Sequence, residues 1–215
     1  AITGGSGVIT GNYTTESANE LALLLRSGAL PAPLEVLEER TVGAGLGADS
    51  ISEGVTASLI GLAAIVVFMV AAYGLFGVFT TITVFINLFL LLGTLSLMGA
   101  TLTLPGIAGI ILTIGMAVDA NVLIFERMRE EVKAGRSTKD AAEAGFTEAW
   151  STIVDSNLTT LVAAFVLFYF GTGPVRGFAV TLAIGIATSM FTSVTVTRLI
   201  IASWIARYKP KKLPI

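Results

Sequence analysis

Charged residues are confined to a few segments of the chain, and long uncharged segments separate them. Asp, Glu, Lys and Arg are all absent from residues 54–118, 156–175 and 177–197. A helix that crosses a membrane needs about 20 mainly apolar residues, so the first segment has room for more than two crossings and each of the others for one. With breaks at the glycine-containing stretches 73–77 and 98–106, the pattern predicts five membrane-spanning helices, at 56–73, 79–97, 105–125, 155–170 and 177–205.

The composition agrees with a chain that lies mostly in lipid. Hydrophobic residues make up 54% of the 215 residues and charged residues 13%, whereas soluble domains carry about 25% charged residues. Cys and His are absent, which excludes disulfides, thiolate or imidazole metal ligands and Ser-His or Cys-His catalysis. The net charge of −2 gives no reason to expect nucleic-acid binding. We expect no enzyme activity, no cofactor and no metal site, and any proton chemistry has to use carboxylates.

The basic residues predict how the chain is oriented. Nine of them follow the third span or lie in the C-terminal tail: Arg127, Arg129, Lys133, Arg136, Lys139, Arg207, Lys209, Lys211 and Lys212. The short loops on the opposite side contain only Arg176. Because Lys and Arg are enriched in cytoplasmic loops, we expect a cytoplasmic tail. Five crossings then place the segment 1–53 outside the cytoplasm.

The N-terminal segment predicts a folded domain rather than a membrane span. The chain begins with Ala1 and has no hydrophobic anchor before residue 54, so we expect it to be part of a longer protein. Residues 4–11 predict a short strand, and Ser17 with Glu20 predicts the capping box of a helix that ends at Gly28. Residues 34–42 predict an extended segment. Residues 1–53 are thus expected to be the end of an α+β periplasmic domain that precedes a mainly α membrane bundle.

Further along the chain, the pattern predicts four more segments. Residues 54–125 hold the first three spans, 126–154 an amphipathic connector on the cytoplasmic surface, 155–206 the last two spans and 207–215 a basic tail. The connector has one helical face of small and aromatic residues between Ala141 and Trp150 and an acidic opposite face. That face suits an interfacial connector as well as a surface on which a partner docks.

Asp119 is the candidate for function. It lies fourteen residues after Pro105 and seven before Glu126, about 21 Å and about 10 Å along a helix from those residues and inside the hydrocarbon. An aspartate is too short to reach the interface. An ionised carboxylate at this depth has to be paired, hydrated or neutralised, and ionisable residues inside membranes are commonly functional. We therefore expect Asp119 to carry a proton. The alternative is that it is a neutral aspartate that fixes helix packing.

Polar residues on other spans offer Asp119 an environment. The second span has Thr80, Thr83, Asn87 and Thr94 on one face; the fourth begins with Asp155, Ser156, Asn157, Thr159 and Thr160; and the fifth repeats Gly177, Thr181, Gly185, Ser189, Ser193 and Thr197. The repeat of small residues at every fourth position favours close helix packing and is also compatible with a hydrated proton path. Asp155 lies near the membrane boundary, where it is either functional or simply solvated.

Several motifs, in order along the chain, resemble the SecD/SecF family of bacterial protein-export subunits, on its SecD side. They are ITGNYTTE (9–16), LRSGALPAP (25–33), EERTVG (38–43), LGADSI (46–51) and GMAVDANVLIFER (115–127). The resemblance covers essentially the whole chain. In the family's arrangement, the chain would comprise the end of the large first periplasmic domain and transmembrane helices two to six.

The resemblance implies half of an RND-superfamily bundle in a complex with SecF. The complex would use proton motive force, with protons as the coupling ion, to draw unfolded secretory polypeptide across the bacterial inner membrane. It would act with the SecYEG channel and SecA, and with YajC. The family's intramembrane aspartate matches Asp119, and the proposed relay also includes Asn121, Asn157, Thr160 and Asp155. Asp49 belongs to a family motif near the periplasmic mouth.

Two other classes of membrane protein use similar residues. An RND-type proton-coupled small-solute transporter remains an alternative, although it would need a substrate pocket outside the membrane. An intramembrane aspartyl protease would need two facing aspartates. Asp119 and Asp155 are the available pair, but the sequence before Asp119 lacks the Gly-x-Gly-Asp motif.

Overall fold

The computed structural model of the chain describes residues 8–27, 44–100, 102–210 and 212–214. Contacts between residues divide the chain into two units, residues 1–42 and residues 43–215. In the first unit, α1 spans Thr15–Ser27. The second unit contains α2 (Ala44–Tyr73), α3 (Leu75–Leu97), α4 (Leu104–Lys133), α5 (Thr138–Phe170), α6 (Pro174–Phe191) and α7 (Thr197–Tyr208), with a π-helical turn at Thr192–Val196 between the last two.

The start of α1 differs from the predicted capping box. Thr14 precedes the helix, and its Oγ1 accepts a hydrogen bond from the Ser17 amide at 3.3 Å, which is the contact expected of an N-cap. The prediction that Ser17 caps the helix is therefore wrong by three residues. Residues 8–11 are not in a strand, and the remainder of that predicted strand, like the extended segment 34–42, lies outside the described residues.

The prediction of a mainly α membrane bundle with five spans is confirmed. Within the described residues, five helices are long and apolar enough to cross a membrane: Ile51–Tyr73, Leu75–Leu97, Leu104–Lys133, Thr138–Phe170 and Pro174–Tyr208. The break between the first two is shorter than the sequence suggested. Only Gly74 separates α2 from α3, and its φ of +54° is a conformation that favours glycine.

The amphipathic segment predicted to be a separate connector is the first third of α5. The helix continues without a break from Thr138 to Phe170, so it runs through the predicted boundary between residues 154 and 155, as α4 runs through the boundary between 125 and 126. The face of small residues is buried against α4. A Cβ added to Gly145 would collide with Met128 and approach the Ile124 carbonyl, and among the predicted face residues Trp150 is the exposed one.

The small residues of the fifth span bring α6 into close contact with α4. A Cβ on Gly185 would overlap the Thr113 side chain, and one on Gly109 would lie 3.3 Å from Thr181 Cγ2. Thr181, Ser189, Ser193 and Thr197 are all buried. The stripe of small residues is therefore a packing surface, as the four-residue repeat predicted.

The π-helical turn explains how a strict four-residue repeat can remain on one face. Four residues of an α-helix turn through about 400°, so each repeat drifts by about 40° and Thr197 would end about 200° from Gly177. The π turn inserts one residue into the helix and reverses about 100° of that drift. Thr192, Ser193 and Thr197 consequently face the bundle interior, each fully buried at 0% exposure.

Gly185→Val is expected to destabilise the bundle by about 1–3 kcal/mol, the usual cost of overpacking. The added side chain has no room beside Thr113. Gly115→Val in α4 is the matched control, because a Cβ there meets nothing within 4 Å. The thermal unfolding midpoint of the detergent-purified protein measures both. A midpoint for Gly185→Val equal to that of the control, or no partial recovery on adding Thr113→Ala, would contradict the close contact.

Candidate functional site

Asp119 lies at the midpoint of α4, which runs from Leu104 to Lys133. At a rise of about 1.5 Å per residue, the backbone of Asp119 is about 21 Å from either end of the helix. The charged residues from Glu126 onward mark where α4 leaves the hydrocarbon. A core of about 30 Å therefore extends from near Pro105 to near Glu126 and encloses Asp119 about 10 Å from its charged end.

A small cavity of about 120 Å³ opens between α4 and α5 at this level. Asp119 lines it together with Asn157 and Thr160, two other predicted relay residues. The remaining lining residues are Met116, Ala120, Leu123, Ile153 and Ser156. The structure thus brings three of the six predicted site residues to one cavity.

The polar groups around this cavity are occupied by their own helix. Asn157 Nδ2 donates to the Ile153 carbonyl at 2.7 Å, and Thr160 Oγ1 donates to the Ser156 carbonyl at 3.2 Å. Asn157 Oδ1 remains able to accept. Asp119 is exposed at the surface of the chain, and its carboxyl group has no hydrogen bond or ion pair among the described residues.

The other two predicted acidic residues lie elsewhere. Asp155 is exposed on α5 and is not among the residues that line the cavity. The structure therefore does not bring together the aspartate pair that a protease would need. Asp49 is exposed near the start of α2, ahead of the apolar segment that begins at Ile51.

Asn121 lies on a different face of α4 from Asp119. Two residues along a helix differ by about 200°, and Asn121 is fully buried whereas Asp119 is exposed. The structure therefore separates Asn121 from the cavity with which the sequence grouped it.

A buried polar cluster surrounds Asn121, and sequence reasoning did not assemble it. Thr197 Oγ1 lies 2.9 Å from Asn121 Oδ1 and 3.1 Å from Thr83 Oγ1. Asn121 Nδ2 and Ser193 Oγ both donate to the Ala117 carbonyl, at 3.0 Å and 3.3 Å. These contacts join α3, α4, the π-helical turn and the first residue of α7. The polar stripes contained Thr83, Ser193 and Thr197, but only the π turn brings Ser193 and Thr197 to the same neighbours.

Two buried polar atoms on α3 lack a hydrogen-bond partner in the described structure. They are Thr80 Oγ1 and Asn87 Oδ1, and both residues are 1% exposed. Buried polar atoms usually bond to protein or ordered water. This side of the bundle therefore has the capacity to bind water.

No group of three acidic residues in the described part of the chain is arranged to hold a metal ion. The site offers one unpaired carboxyl group, amide and hydroxyl groups, and a cavity large enough for a few water molecules. The chemistry that this set of groups can perform is proton binding and release.

Comparison with protein families matches nearly the whole chain. The family model described as "Protein export membrane protein SecD/SecF, C-terminal" matches residues 28–207, and the model "SecDF, P1 head subdomain" matches residues 1–32. Protein translocase subunit SecD of Rickettsia conorii is 59% identical over 213 residues, which are 99% of this chain and 41% of that protein. The Rhodobacter capsulatus protein of the same name is 54% identical over 214 residues, covering 100% of this chain and 39% of its own length.

Two solved structures are similar to the fold. The crystal structure of SecDF from Thermus thermophilus, described as a translocon-associated membrane protein, superimposes with a TM-score of 0.81 at 46% identity, covering 98% of this chain and 29% of that one. SecDF in its super-membrane-facing form gives a TM-score of 0.73 at 46% identity, covering 91% and 27%. The chain therefore spans about two fifths of the curated relatives and a smaller share of the solved structures.

Thr197→Val is expected to destabilise the bundle by about 1–3 kcal/mol, because it leaves buried hydrogen-bonding groups of the Asn121 cluster without their partner. Thr197→Ser keeps the hydroxyl and should retain most of the stability. The exposed Thr147, whose hydroxyl bonds only to the Glu143 carbonyl, supplies the control Thr147→Val, expected to change stability by about 0.5 kcal/mol or less. Thermal unfolding in detergent measures all three. If Thr197→Val unfolds like the control, the cluster does not stabilise the bundle.

Proposed function

The chain belongs to the SecD/SecF family of protein export membrane proteins, and on this basis we propose that it helps to move unfolded secretory polypeptide across the bacterial inner membrane by using proton motive force. Asp119 is the residue that binds and releases the coupling proton. The work requires a SecF-type partner, because this chain supplies only part of the bundle. SecYEG, SecA and YajC are the other proposed partners.

The observation that carries the proposal is the unpaired, outward-facing carboxyl group inside the hydrocarbon. Among the described residues nothing pairs with Asp119, and it is exposed on the chain's surface. A carboxylate facing lipid at that depth is costly. A partner chain that covers the cavity lined by Asp119, Asn157 and Thr160 removes this cost and supplies the other side of a proton site. The structure of one chain alone thus supports a two-chain pump.

We propose that α4 couples protonation of Asp119 to a change in helix packing. Protonation removes a charge from one face of the helix, while the opposite region of the same two turns holds the Asn121 cluster and contacts the π-helical turn. Loss of this charge shifts the equilibrium between two packing arrangements when the charged carboxylate is less stable in one of them than in the other. The small residues between α4 and α6 hold the two helices in close contact, so a change in the packing of α4 would act directly on α6.

The proposed orientation places residues 1–53 in the periplasm and the basic tail in the cytoplasm. The proton would then enter from the periplasmic side, where Asp49 lies ahead of the first span. Asp155 does not line the cavity and is not needed as a proton carrier. The small-solute alternative has less support, since the relatives reported above are named as protein translocase subunits.

Asp119→Asn is expected to abolish the part of export that depends on the proton gradient. The amide keeps the shape of the side chain but cannot carry the proton. Export of a translocation-arrested preprotein is measured in inverted membrane vesicles from cells with the variant in the full-length protein, with and without an uncoupler. Asp155→Asn makes the same chemical change on an exposed residue outside the cavity and should export as the unaltered protein does. Uncoupler-sensitive export that persists in Asp119→Asn, with the assembled complex present, would overturn the role of Asp119.

Single cysteines in the cavity should form cross-links to the partner chain. Residues 1–215 contain no cysteine, so Met116→Cys and Leu123→Cys, both lining the cavity, introduce the only thiols within this part of the protein. In membranes containing the complex, these positions should cross-link to cysteines in facing helices of SecF, whereas Phe89→Cys, 85% exposed on α3, should not. Labelling of the cavity positions only by lipid-soluble reagents would show that the cavity faces the bilayer and no partner covers it.

A further inference from the structure

A groove separates the first turns of α5 from α7, on the side of the bundle that carries the basic residues. It encloses about 610 Å³. Phe146, Ile201 and Ile205 form an apolar floor, and the Thr138 hydroxyl closes one end by donating to the Pro210 carbonyl at 3.1 Å. The proton-binding cavity lies further along α5, at Ile153 to Thr160, so the groove is a separate feature.

The charged side chains along the groove are predominantly cationic. Lys139, Arg198 and Lys209 line it, with Glu143 as the one carboxylate. No ion pair within the described ranges engages any of the four. Arg198 instead lies over the Phe146 ring, 5.9 Å from its centroid. The N-terminal turns of α5 add partial positive charge at Thr138, while Lys209 offsets the negative end of α7.

Helix lengths place the groove at the membrane surface. Pro174 is the outer end of α6 and Phe170 the outer end of α5. At the rise of an α-helix, Arg198 is about 36 Å along the chain from Pro174, and Phe146 is about 36 Å from Phe170. Both side chains therefore lie just beyond a hydrocarbon core of about 30 Å. Trp150, about 30 Å from Phe170 along α5, lies at the level where tryptophan is enriched in membrane proteins.

An apolar extension continues from the groove toward the hydrocarbon. A second depression of about 310 Å³ shares Phe146 and Arg198 with the groove and is also lined by Trp150 and Val194. Along both helices these residues lie closer to the membrane centre than Lys139 and Lys209 do. The combined surface runs from an apolar end at the edge of the hydrocarbon, at Trp150 and Val194, past Arg198 at headgroup level to a cationic end further from the membrane, at Lys139 and Lys209.

We propose that this surface is a binding site for an anionic phospholipid. Its phosphate lies beside Arg198 at headgroup level, the long side chains of Lys139 and Lys209 reach toward it from further along α5 and α7, and an acyl chain follows Phe146 toward Trp150 and Val194. Basic pockets between helices on the cytoplasmic side suit anionic headgroups. An acidic peptide would satisfy the cations, but it would leave the apolar extension, which is directed into the bilayer, without an occupant.

The test measures lipid binding to the full-length protein by native mass spectrometry in detergent. Phosphatidylglycerol and phosphatidylcholine with identical acyl chains are the two probes. Arg198→Gln and Lys209→Gln should each weaken phosphatidylglycerol binding about fivefold, the equivalent of about 1 kcal/mol per basic residue near anionic lipid. Glu143→Gln should strengthen it by a similar factor. Arg127→Gln, on the same side but ion-paired with Glu130 at 2.8 Å, is the matched control and should stay within about twofold.

A second experiment locates the bound lipid on the protein. It uses a photoreactive phosphatidylglycerol in vesicles of phosphatidylcholine and phosphatidylglycerol. The labelled peptides should map to residues 138–150 and 194–210, and Arg198→Gln should reduce that labelling, with Arg127→Gln unchanged. Equal binding of the two lipids, equal effects of Arg198→Gln and Arg127→Gln, or cross-linking of Ala202→Cys to another polypeptide instead of labelling by lipid would each overturn the proposal. The last outcome would identify the groove as a protein interface.

Discussion

The close contact between α4 and α6 is the constraint on which the rest of the bundle depends. Gly185 has no side chain because Thr113 occupies the space, and at that separation only small side chains fit along the seam. Small residues in turn allow hydroxyl and amide groups to reach across it, as Ser193 reaches the Ala117 carbonyl. In a membrane, where apolar side chains gain little by leaving lipid, such close packing and interhelical hydrogen bonds are what hold helices together.

The same contact determines which side of α4 is available for a proton. Thr113, Ala117 and Asn121 recur at four-residue spacing and face α6 and the π-helical turn, where all three are buried. Asp119 is halfway between the last two and therefore faces away from that seam. α5 approaches it there but does not cover it, since Asp119 remains exposed beside Asn157 and Thr160. An unpaired carboxyl group on the outside of this bundle is what the proposed pairing with a second chain requires.

Sequence reasoning predicted the spans and the depth of Asp119 because both depend on length and charge alone. It also grouped Asn157 and Thr160 with Asp119, and both line its cavity. It placed Asn121 there too, although two residues along an α-helix differ by about 200°, so helical geometry alone could have separated them. The continuous α5 and the π turn were not predictable in this way. A face of alanine and glycine fits a neighbouring helix and a membrane surface equally well, and only the position of Met128 decides between them.

α5 lines both the cavity at Asp119 and the cationic groove. Near its start, Gly145 lies against Met128 and Ile124 of α4, and toward its other end Ala164 packs with Leu182 and Ile186 of α6. Between these contacts is the cavity at Asp119, so any change in charge there acts on a segment of α5 held firmly on both sides. The first turns of α5 also form one wall of the cationic groove, so a phospholipid bound there would restrain the end of α5 that faces the basic side of the membrane. Because α5 is held against α4 at Gly145 and against α6 at Ala164, a change of charge at Asp119 would act on the stretch between these contacts, which is the stretch that the proposed partner chain would cover.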